Sequence, residues 1–474
     1  MAVDTNRKPN RVERVKRLLK APNPHIRALM KALHASEVAM VLEDCSPDLR
    51  ERIVTEVPID IVSAALSEMD EDSNPGALLT LLPPKVASSV VMKLAPDDAA
   101  DLLALVPDEF RDRLFTFVPD EEEDVINQLL TYDEDSAGGL MNPDVVRVQE
   151  GMTKLDALRE VVAQSEDMDD FYTIYVVDET SHLKGYLTFR SLFLARNSEP
   201  VAHSMDDDIV SVTVDMDQEE VARLMKQYNL PTLPVVTQEG LLMGRITFDD
   251  VMDVLEEEST EDILNFAGVS EDENLRGGWA DAVRSRIPWL FINLITASIA
   301  AFVISRFDGT IEKLVLLTSM MPIIAGVAGN GATQTLAVTI RRISTDGIPG
   351  RKAMSVILKE LSVGMINGLM IGAVVSIFVM YINPSVDEQF VAMMGLVVFL
   401  AMFGNLMLAG FMGSVIPILL EKAGVDPAVA SSILITAFTD IIGYLLLFGL
   451  ASKILLPLLN HLGEAGMNLL PPIL

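Results

Sequence analysis

Residues 253–304 read DVLEEESTEDILNFAGVSEDENLRGGWADAVRSRIPWLFINLITASIAAFVI, and within this stretch the chain changes character. Up to Arg286 it is dense with charge; from Ile287 to Ile304 it carries none. A run of that length approaches the ~20 helical residues needed to cross a hydrocarbon core. The same contrast extends outward. Of the 68 acids and 36 bases, residues 1–286 hold 58 and 27, while residues 287–474 hold 10 and 9. The first part therefore reads as a soluble acidic assembly, and the second as a largely uncharged membrane domain.

Five spans can be drawn, at 287–304, 314–340, 354–381, 390–420 and 429–457. Arg341, Arg342, Arg351, Lys352 and Lys359 cluster between the second and third, while 382–389 has no base. Basic loops stay on the cytoplasmic side. The acidic N-terminal half is then cytoplasmic and the C-terminus outside, in a multi-pass protein of the cell (inner) membrane in contact with lipid. No apolar h-region near Met1 suggests a cleaved signal peptide.

Composition also excludes functions. The lone Cys45 cannot form an internal disulfide, and the five histidines are scattered without a pair at helical spacing, which disfavours zinc or iron chemistry. Phosphate contacts need basic patches, so an acidic soluble part does not suit nucleic acid. There is no phosphate-binding glycine loop and no nucleophile–base spacing, so an enzyme is not expected. Residues 32–275 hold 55 acids against 15 bases, a self-repelling excess that bound divalent cations would relieve.

Along the chain, residues 1–31 are basic and proline-broken, and read as a flexible arm. From 32 to 135, short apolar-periodic runs restart at Pro47, Pro58, Pro84, Pro96, Pro107 and Pro119. Proline suits the first helical turn, and acids there suit the positive helix end. The pattern predicts short stacked helices, a small α-solenoid. A duplication follows: Met141-Asn142-Pro143-Asp144 begins a β-rich unit with a helix at 155–165, and Met205-Asp206-Asp207-Asp208 begins a second with a helix at 218–228. Each copy reads as a small α+β unit.

On these residues the two copies resemble a tandem pair of CBS domains, at 136–200 and 201–256. The second keeps Gly244-x-Ile246-Thr247-x-x-Asp250, and the resemblance implies ATP held by Thr247 and Asp250; the first has Ser191 where the pattern has Asp. A pair that binds no nucleotide is equally compatible with the residues. In the connector, Asp250, Asp253, Glu257 and Glu261 share one helical face, where stacked like charges repel unless a cation lies between them. Hard carboxylate oxygens select Mg2+ or Ca2+.

Thr260-Glu261-Asp262-Ile263 followed by Ala267-Gly268-Val269, in a chain ordered solenoid, CBS pair, connector and five spans, resembles the MgtE family of magnesium transporters. The fold implied is a multidomain membrane protein: α-solenoid, tandem α+β CBS domains, a plug helix at 257–282 and an all-α five-helix membrane domain at 283–474. The resemblance also implies a homodimer gated shut by cytoplasmic Mg2+. It carries regulatory Mg2+ ligation onto Asp97 and Asp101 in the solenoid and onto Asp217, Glu219, Asp250, Asp253, Glu258, Glu261 and Asp262 beyond it. Asn229 departs from the family, which places an acid there.

Span two contains Met321-Pro322 and Gly329-Asn330-Gly331-Ala332-Thr333-Gln334, poor material for a plain lipid-facing helix. Span five contains Thr436-Ala437-Phe438-Thr439-Asp440, and a carboxylate at that depth costs roughly 2.5–3.5 kcal/mol on insertion scales. The resemblance makes Asp440 the ion-selecting residue, with Gly329, Asn330, Gln334, Thr436 and Thr439 beside the path. Asp426, before Pro427, either starts the fifth helix or stands at the inner mouth. The resulting reading is a Mg2+-selective channel or transporter. A coupled divalent-cation carrier or exporter (Mg2+/Co2+) and a membrane-tethered Mg2+/nucleotide sensor without flux are the alternatives.

Overall fold

A computed structural model describes residues 8–19, 25–165, 171–194, 198–270, 273, 277–346, 350–382, 387–425, 427 and 431–464. The chain divides into two compact units, Met1–Glu258 and Ser259–Leu474.

In the first unit the proline restarts become helices. Pro47–Glu56, Pro75–Leu79, Pro84–Val91 and Pro96–Ala104 begin on proline, while Ile59–Ser67, Asp108–Phe115 and Asp120–Leu129 follow one directly. A proline there forfeits no intrahelical amide bond. Helices one apart in sequence pack together, as Ala35–Asp44 does on Ile59–Ser67. They bury a continuous core through Leu42, Leu66, Leu79, Leu103 and Leu114. The basic N-terminal stretch differs from the expected flexible arm. Lys8–Leu19 is helical, and Val12, Val15 and Leu19, which fall on one helical face, are buried in the solenoid core. The high density of bases had masked this apolar period.

The duplication appears as two three-stranded sheets. Strands β1 (Arg147–Gln149), β2 (Thr173–Val177) and β3 (Leu183–Thr188) pair in that order, as do β4 (Val212–Thr213), β5 (Thr232–Val236) and β6 (Leu242–Thr247). In each sheet the first pairing is parallel and the second antiparallel, with a register shift at the matching place, Val176/Val177 and Val235/Val236. The helices Lys154–Gln164 and Gln218–Tyr228 complete the copies. Val221, Leu233, Val235 and Ile246 join the solenoid core, so the second copy and the solenoid share one interior.

Among the described residues of the second unit, five helices are long and apolar enough to cross a membrane: span 1 (Trp279–Ser305), span 2 (Val315–Ser344), span 3 (Ala353–Ile382), span 4 (Glu388–Lys422) and span 5 (Ile433–His461). Spans 2, 4 and 5 meet around Ile324, Ala328, Val397, Ala401, Leu447 and Phe448. Span 3 lies along span 4 through Gly364, Gly368 and Gly372. A Cβ on these glycines would stand 2.6 Å from Leu406 O, 2.9 Å from Phe403 O and 3.2 Å from the Phe399 ring. This small-residue face brings the two backbones together. Span 1 packs on span 5 and buries only Ala300.

Candidate functional site

The acids of the first unit gather around the helix Pro96–Ala104. Its first turn carries Asp97 and Asp98, and Asp101 follows one turn later. Asp97 accepts a hydrogen bond from Asn142 Nδ2 at 3.1 Å. Burial, then the charges of Asp98 and Asp250, push its carboxyl up to about 8. Burial with Asp250 and Glu68 raises Asp98 to about 6, and burial with Glu71 and Asp98 raises Asp101 to about 7. The start of the helix Phe248–Ala267 contributes Asp250, Asp253 and Glu257. Burial, then Glu71 and Asp253, take Glu257 up to about 7. Burial is the leading cause at Asp250 and Asp253 as well, and both are raised.

Solenoid and connector acids therefore share one repulsive field, in which each charge opposes the others' ionisation. Among the described residues, no three acidic or imidazole side chains are grouped so as to hold a metal ion.

The remaining regulatory candidates are distributed differently. Asp217 caps the helix Gln218–Tyr228 by accepting from Glu219 N at 2.9 Å, with Glu219 in that first turn. Glu258 accepts from Gln218 Nε2 at 2.8 Å. Glu261, which accepts from Asn265 Nδ2 at 3.3 Å, and Asp262 belong to the second unit. Asn229 ends its helix in the left-handed region, with φ 53° and ψ 47°, a conformation that suits asparagine. The sequence reading missed Asp98, Glu71, Glu134 and Asp135. Asp98 stands beside Asp97 in the same turn, while Glu71, Glu134 and Asp135 come from other parts of the chain and enter the field only through the fold.

The nucleotide candidates face one another. Thr247 Oγ1 donates to Asp250 Oδ2, and so does Thr247 N at 3.1 Å, which closes a cap at the start of Phe248–Ala267. Thr188 and Ser191 form the same loop in the first copy. A polar cleft of about 600 Å³ lined by Asp144, Arg147, Glu160 and Gln164 includes neither Thr247 nor Asp250.

In the membrane unit, Pro322 does not interrupt a helix. A 3-10 stretch, Val315–Met320, hands over to the α-helix Met321–Asp346, which places Pro322 in its first turn. The helix then runs through Gly329, Asn330 and Gln334 without a break. Gly329 faces Thr439: a Cβ there would stand 3.9 Å from Thr439 Oγ1, which donates to Thr436 O at 2.9 Å. Asn330 and Gln334, four residues apart, are exposed on span 2. Thr436 is exposed and Asp440 partly exposed, at the same spacing on span 5. Asp426 lies outside the described residues.

Glu360 and Asn405 are among the polar residues buried inside the bundle. Glu360 on span 3 is 5 % exposed, with Lys359 Nζ 3.2 Å from its Oε1. Asn405 on span 4 is fully buried. An ionisable group within a span is itself a signal, but beside Lys359 the glutamate reads as the edge of the basic loop.

Comparison with known proteins agrees along the chain. The family profile described as "Divalent cation transporter" matches residues 321–450, "MgtE intracellular N domain" matches 33–135, and "CBS domain" matches 137–198 and 201–257. The "Magnesium transporter MgtE" of Thermus thermophilus is 34% identical over 412 residues, covering 80% of this chain and 89% of that one. The Bacillus subtilis protein of the same name is 30% identical over 426 residues, covering 90% and 93%. Among solved structures, the cytosolic domain of the Mg2+ channel MgtE in complex with ATP is 37% identical, with a TM-score of 0.45, over 48% of this chain and 93% of that chain. With both profile and full-length relatives in agreement, the chain belongs to the MgtE family.

Proposed function

We propose that the protein conducts Mg2+ across the cytoplasmic membrane as a homodimer and that cytoplasmic Mg2+ on its acidic unit shuts it. The observation that carries this reading is Asp440. A carboxylate at membrane depth is costly wherever it meets lipid. In the single chain it shares a partly exposed stretch with Thr436, while Asn330 and Gln334 look outward from span 2. Polar groups in such a position need a protein partner or water. A second copy facing the first supplies both, because paired Asp440 carboxylates would enclose a hydrated path. Mg2+ keeps its waters tightly, so recognition through the shell suits carboxylates that need not touch the metal. The basic loop between spans 2 and 3 supports an N-terminal unit in the cytoplasm and a C-terminus outside.

For regulation, Mg2+ would be held between Asp97, Asp98 and Asp101 on the solenoid and Asp250, Asp253 and Glu257 on the connecting helix. A cation that binds the closed arrangement better shifts the population towards it. ATP would be received at Thr247 and Asp250 of the second CBS copy, the same pair that caps the helix Phe248–Ala267.

The test is Mg2+ flux into proteoliposomes carrying wild type or Asp440→Ala, with Mg2+ set separately on the two sides. Flux lost in the variant, and falling in wild type as Mg2+ rises on the sensor side, supports the gated pore. Equal flux in both proteins refutes the role of Asp440.

A further inference from the structure

Asn405 stands where spans 2, 4 and 5 meet, and it is fully buried. Its Nδ2 donates to Ile324 O at 3.3 Å, one turn into the helix that begins at Met321. That contact settles which end of the amide is which, since two facing oxygens would repel. The other end, Oδ1, is buried and finds no donor among the described residues. The Thr439 hydroxyl on span 5 is engaged elsewhere, donating to Thr436 O. A buried acceptor without a donor is costly, and where one persists a water or ion commonly explains it.

The position of this acceptor is informative. A Cβ built on Gly443 would stand 2.5 Å from Asn405 Nδ2, so only glycine leaves room for the amide there. Asp440 precedes Gly443 by three residues, a spacing at which helical Cβ atoms are about 5–6 Å apart. The amide therefore lies within about 8 Å of the Asp440 Cβ. A hydrated divalent cation presents only O–H donors to its surroundings. With metal–water distances of about 2.1 Å and hydrogen bonds of about 2.8 Å, two acceptors on opposite sides of one shell can be about 9–10 Å apart.

We propose that Asn405 is a further specificity-determining residue, whose Oδ1 accepts a hydrogen bond from the water shell of the divalent cation held at Asp440. The inference rests on the reading of Asp440 as a cation site. Fixed acceptors spaced for the compact shell of Mg2+ disfavour Ca2+, whose metal–oxygen distances are longer and whose coordination is looser. The same O–H chemistry could come from a resident water, which would be indifferent to the ion.

The experiment compares Mg2+ and Ca2+ flux in proteoliposomes for full-length wild type, Asn405→Leu, Asn405→Asp and Asp440→Asn. Asn405→Leu should raise the half-saturating Mg2+ roughly five- to tenfold, the equivalent of one hydrogen bond. It should also lower the Mg2+-to-Ca2+ flux ratio while keeping maximal flux. Asn405→Asp keeps the acceptor and loses the donor to Ile324 O, so it should hold the ratio while melting earlier. If Asn405→Leu does not fold, Gly443→Ala, which pushes the amide aside without removing it, should show the same loss of selectivity. An unchanged half-saturation and ratio in Asn405→Leu, or in Gly443→Ala where that variant stands in for it, would overturn the proposal and leave Asn405 a helix tie or the partner of a resident water. Full flux in Asp440→Asn would instead overturn the underlying site, whatever the Asn405 variants do.

Discussion

Asn229 shows how a single side chain can be chosen by backbone geometry. It closes the helix Gln218–Tyr228 in the left-handed region, where a β-carbon is strained and a short amide is tolerated. Asn229→Ala is therefore expected to cost about 1–2 kcal/mol, and Asn229→Gly to be neutral or slightly stabilising, as read from thermal midpoints. Where the family places an acid, the structure supplies a local reason for asparagine. The Thr247–Asp250 pair teaches a related lesson. A motif that reads as ligand-binding from spacing alone is also the spacing of a helix cap, in which a carboxylate three residues on reaches back to the preceding backbone and hydroxyl. Spacing cannot separate the two uses, and one pair can serve both.

Elements were legible wherever period and punctuation agreed. Proline at the first turn marked the solenoid helices, and uncharged length marked the spans; spans 2 to 5 fall within four residues of their observed limits, while the helix of span 1 starts eight residues before its uncharged run. Packing partners were less legible. Gly364, Gly368 and Gly372 announced a close-packing face, but only the structure gives span 4 as its partner. Gly364→Leu should separate these spans, because a Cβ there already meets Leu406 O at 2.6 Å; a loss of at least 1–3 kcal/mol is expected from overpacking, measured by thermal unfolding in detergent. The helix Lys8–Leu19 escaped the sequence reading because its three apolar contacts are separated by bases. Val15→Asp should lower the melting temperature of the N-terminal unit by burying an unpaired carboxylate against the core, whereas Arg17→Ala, on the exposed side of the same helix, should leave it within about 0.5 kcal/mol of wild type.

For the whole molecule, the acid field links proton, cation and stability. Asp97 and Asp98 have folded-state carboxyls raised above their ordinary range, to about 8 and about 6. The folded protein then binds protons that the unfolded chain has released, so these groups favour folding at acid pH. That contribution is lost as pH rises from about 4 to about 8. In a chelator the N-terminal unit should melt progressively earlier across this window, by on the order of 1–2 kcal/mol after allowing for screening at the more exposed Asp101 and Glu257. Millimolar Mg2+ should flatten the curve by replacing the protons as counter-charge, with proton release on binding detectable by calorimetry in buffers of different ionisation heat. A pH-independent melting temperature in chelator would show that the acids do not act as one field. None of this coupling could be drawn from composition, because Glu71, Asp98 and Asp250 meet only after the superhelix has turned the chain back on itself.

Span 1 has a consequence of its own. It buries only Ala300 against the rest of its unit, while Glu273, itself buried, grips Arg286 near its beginning through both carboxylate oxygens. A helix solvated so largely by acyl chains takes its tilt from the thickness of the bilayer more than from its neighbours. Bilayer thickness would then act as an input at this end of the unit: lipids with shorter or longer chains would tip span 1 and, through the Glu273–Arg286 grip, load the segment that precedes it.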